Sequence, residues 1–333
     1  MKRDSSSSIS EQSANSEIPC PNVLKLWNSL YESFPKLFHI PSTNLDMTFT
    51  IMSFFVLLQV KFFIKNVLLP SYFEDHEFEG PEEISYYRDV ESISVYLTSI
   101  VHSSTLCVVL FFLLFRSNQK FHPSANMSSH PEWWQTSTHA ILQFCIGYML
   151  YDGLYNSFYR KKYVENNFTV DDICFLGHHL ATSYYMSSVR MNGAGHMSAM
   201  IIMFFGEVTN PAQNTRSSLK VLLTLGPTVQ GYFSFETIQN VLFPLVDFVY
   251  ALMYSLVRVI LNPYLNILIT YDFLFTKGGR GRMSLPLSLS LLFMLWGVTI
   301  GTVPWMIEAV QIVLGYFSNF GLISRNSIST NEL

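Results

Sequence analysis

Residues 175–182 read FLGHHLAT and place the adjacent histidines His178 and His179 inside a helix-length apolar run. A polar group without a partner in hydrocarbon loses its hydrogen bonds to water, which costs several kcal/mol. Neighbouring side chains on a helix also point about 100° apart, so one simple contact cannot satisfy both rings. We therefore expect one ring to face an internal cavity while a neighbouring helix holds the other.

The composition around this pair is that of an integral membrane protein. Hydrophobic residues make up 49% of the chain and charged residues only 13%, whereas soluble domains carry about 25% charged residues. The sequence therefore predicts an all-α, polytopic transmembrane helix bundle with about seven spans. The candidate spans are 47–69, 92–115, 138–157, 172–189, 194–209, 239–269 and 284–318, and a Gly-Pro step breaks a further apolar piece at 221–233.

Charge and cysteine content argue against several classes of partner. A net charge of −4 does not suit nucleic acid, which needs a concentrated basic face. The four cysteines show no CxxC spacing, so buried free thiols are favoured over a zinc site or a disulfide frame. We expect no metal, no resident cofactor and no nucleic acid.

Polar residues extend along the helix that carries the histidine pair. Asp171, Cys174, His178 and Thr182 follow i, i+3, i+7 and i+11 and form one stripe. Asp171 could also cap the start of this helix, where a carboxylate meets the positive end of the dipole. Two interpretations remain open. The pair is either a functional site or a hydrogen-bonded histidine pair that only joins neighbouring helices.

A second polar cluster, GEVTNPAQNTR, covers residues 206–216. Glu207, Asn210 and Asn214 share one helical face. Pro211 has no N–H, so the carbonyl of Glu207 loses its intrahelical donor and the helix should kink or break. Irregular backbone at membrane depth is tolerated where it lines a polar cavity, which favours an internal site over an ordinary helix end.

Ionisable residues within spans indicate function by default, although several have simpler explanations. Lys61 and Lys65 could extend to the membrane interface, and Asp152 and Asp247 could lie near span ends. His102 also lies within a span.

Arg258 lies in the middle of an apolar run and has no carboxylate on its own helical turn. We expect Glu207 or Glu308 to pair with it across the bundle. A structural ion pair and an anion-binding role both remain open.

The basic loop with Lys277, Arg280 and Arg282 is expected on the cytosolic side by the positive-inside rule.

These motifs together resemble the TLC (TRAM–Lag–CLN) domain family. The resemblance is carried by HHLAT at 178–182, Asp171 upstream of it, GEVTNPAQNTR at 206–216, and Arg258 followed by Pro263. The resemblance divides the chain into a polar, largely disordered N-terminal region (1–46), a first transmembrane helix with an acidic loop (47–84), the TLC domain (85–320) and a short C-terminal tail (321–333). It implies a bundle around a central lipid-accessible cavity, and a location in the endoplasmic reticulum, with the plasma membrane as the alternative.

The resemblance also implies site residues and chemistry. Ceramide synthases, which belong to this family, join a fatty acyl-CoA to a sphingoid amine with a histidine pair that His178 and His179 match. They carry a His-Asp pair followed three residues later by a second Asp, where this chain has Gly206, Glu207 and Asn210. The chain therefore resembles members outside the ceramide synthase branch.

Three functions follow as hypotheses. The first is control of membrane lipid composition by binding, sensing or moving a sphingolipid, fatty acyl or phospholipid. The second is lipid N-acylation by His178 and His179, with acyl-CoA as cosubstrate, and the third is a transporter or scaffold without chemistry. A homo-oligomer is compatible with each of them. The residues expected to bind lipid or line the cavity are Asp152, Asp171, Thr182, Glu207, Asn210, Asn214 and Arg258.

Overall fold

A computed structural model of the protein describes residues 46–69, 81–117, 119–155, 170–225 and 234–319, with the backbone alone at 81–86, 171 and 319. Of the N-terminal region predicted at 1–46, only Asp46 is described. The C-terminal tail 321–333, most of the acidic loop and residues 226–233 of the broken apolar piece lie outside the described residues.

Helices account for nearly all of this part of the chain, and its only bridge pairs Asn126 with Ala194. The predicted all-α class is confirmed. The helices are α1 (Thr48–Leu68), α2 (Pro81–Phe111, continued by a wide turn at Phe112–Arg116), α3 (Glu132–Leu154), α4 (Val170–Asn192), α5 (His196–Glu207), α6 (Asn210–Leu225), α7 (Phe235–Phe275), α8 (Lys277–Arg282), α9 (Leu285–Gly301) and α10 (Val303–Asn319).

Several of these helices are long and apolar enough to cross a membrane. Within the described ranges they are α1, the Tyr87–Arg116 portion of α2, and α7, and α9 with α10 would form a fourth span bent by 41°. The remaining helices of the bundle are shorter or more polar. The chain is therefore a multi-pass membrane protein, and the total number of spans stays a prediction.

The predicted run at 239–269 lies within one continuous helix, α7, of 41 residues. Two stretches of it, Ile238–Leu242 and Ser255–Leu261, have the wider π-helical hydrogen bonding. Each ends two residues before a proline, Pro244 or Pro263. Proline offers no N–H to the carbonyl four residues earlier, so the helix widens there and continues.

α5 is the inner helix of the bundle. All residues from 196 to 201 are buried, and α5 packs against α2, α4 and α7. Around it, α3 packs on α1 and α4, α9 on α4 and α7, and α6 on α2 and α7. This arrangement brings the C-terminal end of α5, with Glu207, close to the histidine pair of α4.

The predicted helix break in the second polar cluster is confirmed. α5 ends at Glu207 and α6 begins at Asn210, with Pro211 in its first turn. Proline is well suited to that position because the first N–H groups of a helix have no intrahelical acceptor.

Gly147 allows α1 and α3 to approach closely, as small residues do between membrane helices. A Cβ atom at this position would lie 2.6 Å from the carbonyl oxygen of Thr50 and 2.8 Å from Cβ of Ser53. We therefore expect Gly147→Ala to lower the free energy of unfolding by about 1–3 kcal/mol, measured by thermal unfolding in detergent. At Gly177 of α4 an added Cβ meets nothing within 4 Å, so Gly177→Ala should be neutral or stabilising. Equal effects of the two substitutions would contradict this packing.

Lys61 does not extend to the membrane interface, as the sequence had suggested. Its side chain is 0% exposed and its ammonium group contacts Glu91 and the hydroxyl of Tyr155. Lys65 lies 2.7 Å from the other carboxylate oxygen of Glu91 and remains partly exposed. The buried side chain of Lys61 is too far inside the bundle to reach water, so it is neutralised by a carboxylate from α2. These four residues form the lysine–glutamate cluster.

Candidate functional site

The two histidines of α4 have different environments. His179 is buried, with Nδ1 2.8 Å from the carbonyl oxygen of Phe175 and Nε2 3.0 Å from a carboxylate oxygen of Asp152. A carbonyl only accepts, so Nδ1 carries a proton and donates it to Phe175. Both ring nitrogens of His179 are therefore engaged, which leaves neither for an incoming ligand.

Asp152 belongs to a hydrogen-bonded chain that crosses four helices. The hydroxyl of Tyr148 lies 3.3 Å from Asp152 and 2.8 Å from Oγ of Ser99. That hydroxyl of Ser99 also accepts from the amide of Asn214 at 2.9 Å. The chain thus joins His179 on α4 to α3, α2 and α6, and holds the imidazole in one orientation.

Glu207 lies at the end of α5, beside His102. The sequence analysis noted His102 only as an ionisable residue within a span. The Asn210 amide donates to the carboxylate of Glu207 at 2.8 Å. His102 is 0% exposed, stacks on Tyr148 at 3.6 Å between ring centroids, and has Nδ1 3.8 Å from Glu207. The signal in the sequence was a histidine within an apolar span, but its neighbours come from other helices.

His178 faces a cavity between the helices. Its Nδ1 atom is buried and makes no hydrogen bond within the part of the chain that is described. The cavity comprises about 740 Å³ of space between its lining atoms, its open side included. The polar residues that line it are His178, Thr182, Tyr185, Glu207, Arg258, Asn262, Asn266, Thr299 and Thr302. Its apolar wall includes Met149, Met186, Met203, Met294, Leu295 and Met306.

The predicted site residues thus separate into two layers. Four of them line the cavity: His178, Thr182, Glu207 and Arg258. Four others form the hydrogen bonds behind it: Asp152, His179, Asn210 and Asn214. The side chain of Asp171 lies outside the described residues.

The prediction that Arg258 forms an ion pair with Glu207 or Glu308 is wrong, since neither carboxylate pairs with it among the described residues. Its guanidinium donates to the carbonyl oxygen of Gly206, because the helix break after α5 leaves that carbonyl near the cavity without a full set of helical partners. Glu308 instead accepts from Arg216 at 3.1 Å, and Arg216 also bonds Asp247. Nε of Arg258 is buried and has no partner among the described groups. Arg258 therefore lines the cavity with a guanidinium that no carboxylate among the described residues holds within 4 Å.

No group of three or more His, Cys, Asp or Glu side chains in the described ranges could hold a metal ion.

Comparison with known proteins identifies the family. The family model of the TLC domain matches residues 92–311, more than half of the chain, and the matched range contains α3 to α9 with every residue of the cavity. A search of curated proteins and a search of solved structures each found no match. With its apolar helices and this match, the chain belongs to the TLC-domain family of membrane proteins.

Proposed function

We propose that the protein binds a membrane lipid in this cavity and, by binding, sensing or moving it, controls membrane lipid composition, with the endoplasmic reticulum as its location. The observation that carries the proposal is a cavity lined by both polar and apolar side chains, within a bundle of membrane helices.

The apolar wall suits an acyl chain. Five of the ten aliphatic and methionine residues that line the cavity are methionines, whose unbranched, polarizable side chains adapt to ligands of varied shape. Lipid tails vary in length and saturation, so such a wall would accept related chains without demanding one shape.

The polar residues of the cavity suit a lipid headgroup that has both hydrogen-bond donors and acceptors. Arg258 offers N–H groups, Glu207 offers carboxylate oxygens, and His178 offers its imidazole ring. A buried polar group that lacks a partner costs about 1–3 kcal/mol, so a headgroup that bonds these atoms recovers that cost. Sphingolipid amides and hydroxyls, fatty acyl carboxyls and phospholipid esters all have this chemistry.

The different environments of the two histidines support acyl transfer as a second candidate. With His179 held by Asp152, His178 is the ring that can act as a base at the cavity. An amine nitrogen would attack the thioester carbonyl of acyl-CoA, the C–S bond would break, and His178 would pass the amine proton to the departing thiolate. The products would be an amide and free coenzyme A.

Substitution of His178 tests both candidates. We expect His178→Ala to lower the lipid-bound fraction of the purified chain about fivefold, the effect of one lost hydrogen bond, measured by native mass spectrometry. Cys174→Ala, an exposed position one turn away on α4, serves as the control and should retain the lipid.

An unchanged lipid-bound fraction in His178→Ala would contradict lipid binding at this cavity. Acyl transfer predicts that the wild-type chain consumes labelled acyl-CoA with an amine acceptor and that His178→Ala abolishes this turnover. Lack of product from the wild-type chain across several sphingoid and other lipid amines would contradict acyl transfer and leave the lipid-binding proposal standing.

A further inference from the structure

A second pocket lies at one end of the bundle, between the α2–α3 connection and α8. Its polar lining comes from Gln119, Lys120, His122, Asn126, His130 and Arg282. We call it the basic pocket, because these residues include a lysine, an arginine and two histidines and no carboxylate. It comprises about 770 Å³ of space, its open side included, and shares no lining residue with the lipid cavity.

The two cations of the basic pocket have no carboxylate partner among the described side chains. Neither Lys120 nor Arg282 forms an ion pair among the described side chains. The nearby carboxylate of Asp272 is buried and already accepts from the backbone N–H of Ser124 at 2.8 Å. It also accepts from the hydroxyl of Thr276 at 2.9 Å, and it lies 3.5 Å from Nδ1 of His122, so that histidine is the lining residue it faces. The positive charges therefore face the open pocket.

The walls of the basic pocket are firmly placed. The backbone N–H of Met127 donates to Gly193 at 2.7 Å, and that of Gly195 donates to Ala125 at 3.2 Å. His130 bonds Gln119 at 3.0 Å. These contacts fix the α2–α3 connection against the turn between α4 and α5, so the pocket exists before a ligand enters.

His130 is held in this wall by an aromatic ring and an amide. Its ring lies 4.1 Å from that of Trp134. Since the Nδ1 atom faces the amide oxygen of Gln119, it carries the proton of that hydrogen bond. The Nε2 atom is buried and has no partner in the described part of the chain. The ring of His130 is therefore held in one position beside the pocket.

The pocket is also placed at the charged end of the membrane helices. Arg116 ends the wide turn after α2, and Lys277 and Arg280 lie on α8 beside Arg282. The positive-inside rule assigns such a basic end to the cytosolic face, where anionic lipids create a negative surface potential.

We propose that the basic pocket binds a phosphate group, carried either by the headgroup of an anionic phospholipid or by a soluble phosphate compound. Arg282 can bond two phosphate oxygens with its planar guanidinium, and Lys120 supplies a second, mobile charge. The amides of Gln119 and Asn126 add neutral donors at the rim. The proposal is independent of lipid binding in the cavity, because the two sites have no lining residue in common.

Charge removal at the pocket tests this proposal. The full-length chain in neutral detergent would be titrated with dihexanoyl phosphatidic acid, with dihexanoyl phosphatidylcholine and with inorganic phosphate, and binding read by native mass spectrometry. Each removed cation should weaken phosphatidic acid binding about fivefold, so the Lys120→Gln/Arg282→Gln double variant should weaken it about 25-fold. Arg280→Gln removes the same charge from the same short helix outside the pocket lining, and should bind like the wild-type chain.

The probes separate the two sources of phosphate. Binding of phosphatidic acid alone identifies a lipid headgroup, and equally tight binding of inorganic phosphate identifies a soluble compound; both support the pocket. The proposal is overturned if the double variant binds as the wild type does, if Arg280→Gln weakens binding as much as Arg282→Gln, or if phosphatidylcholine binds as tightly as phosphatidic acid. The double variant should still retain the lipid that co-purifies in the cavity, since neither Lys120 nor Arg282 lines it, so failure here is distinct from failure of the lipid cavity.

Discussion

Glu91→Gln is expected to lower the free energy of unfolding by about 3–5 kcal/mol, the usual effect of removing one partner of a buried ion pair. Glu91 is the carboxylate of the lysine–glutamate cluster and contacts Lys61, Lys65 and Tyr155. Its loss takes the carboxylate away from the ammonium group of Lys61, which is 0% exposed. The measurement is unfolding of the purified chain in detergent by heat or by denaturant.

Two control variants separate charge burial from simple loss of contact. Lys65→Met removes the partly exposed cation and should cost at most about 1 kcal/mol. The double variant Lys61→Met/Glu91→Leu replaces the buried pair with apolar side chains, which is often neutral or stabilising. We therefore expect it to recover most of the stability that Glu91→Gln loses. A double variant that is less stable than Glu91→Gln would contradict the assignment of the loss to an uncompensated buried charge.

Asp152→Leu is expected to lower the free energy of unfolding by about 3 kcal/mol, because it leaves His179 and Tyr148 without the carboxylate that joins them. Asp152 is buried and lies 3.0 Å from Nε2 of His179. Because the site is inside the bundle, water does not take over the hydrogen bonds of the lost carboxylate. The lipid-bound fraction should fall as well, since the wall of the cavity on α4 loses its support. Thermal unfolding and native mass spectrometry of the same preparation measure the two effects.

His178→Ala provides the comparison for Asp152→Leu. His178 faces the cavity and its Nδ1 atom makes no hydrogen bond within the described residues, so its removal should change stability by less than about 1 kcal/mol while lipid is lost. The expected pattern is therefore loss of stability and lipid in one variant and loss of lipid alone in the other. Equal losses of stability in both would contradict the different environments that the structure assigns to His178 and His179.

Composition and spacing predicted much of this protein. The scarcity of charge indicated membrane helices, and Pro211 indicated the break that separates α5 from α6. The spacing of Glu207, Asn210 and Asn214 identified a polar face, because side-chain direction along a helix follows directly from residue number. The family resemblance agrees with the domain match over residues 92–311.

Partners on other helices were not predictable in the same way. Lys61 was assigned to the membrane interface and Arg258 to an ion pair with Glu207 or Glu308, yet Lys61 is buried against Glu91 and Arg258 bonds the carbonyl of Gly206. Helical periodicity predicts the direction in which a side chain points from its own helix. It does not predict which other helix packs against that face. The proximity of His102 to Glu207 likewise depends on how α2 packs against α5.

The histidine pair shows both sides of this division. The amino-acid sequence alone established that two polar rings lie in an apolar helix and diverge, since that follows from covalent geometry and composition. Which ring is free depended on the packing of α3 against α4, which places Asp152 at Nε2 of His179 and leaves His178 at the cavity. The physical reason is that a hydrogen bond needs its partner within about 3 Å, and such distances between residues far apart in the chain arise only when the helices pack.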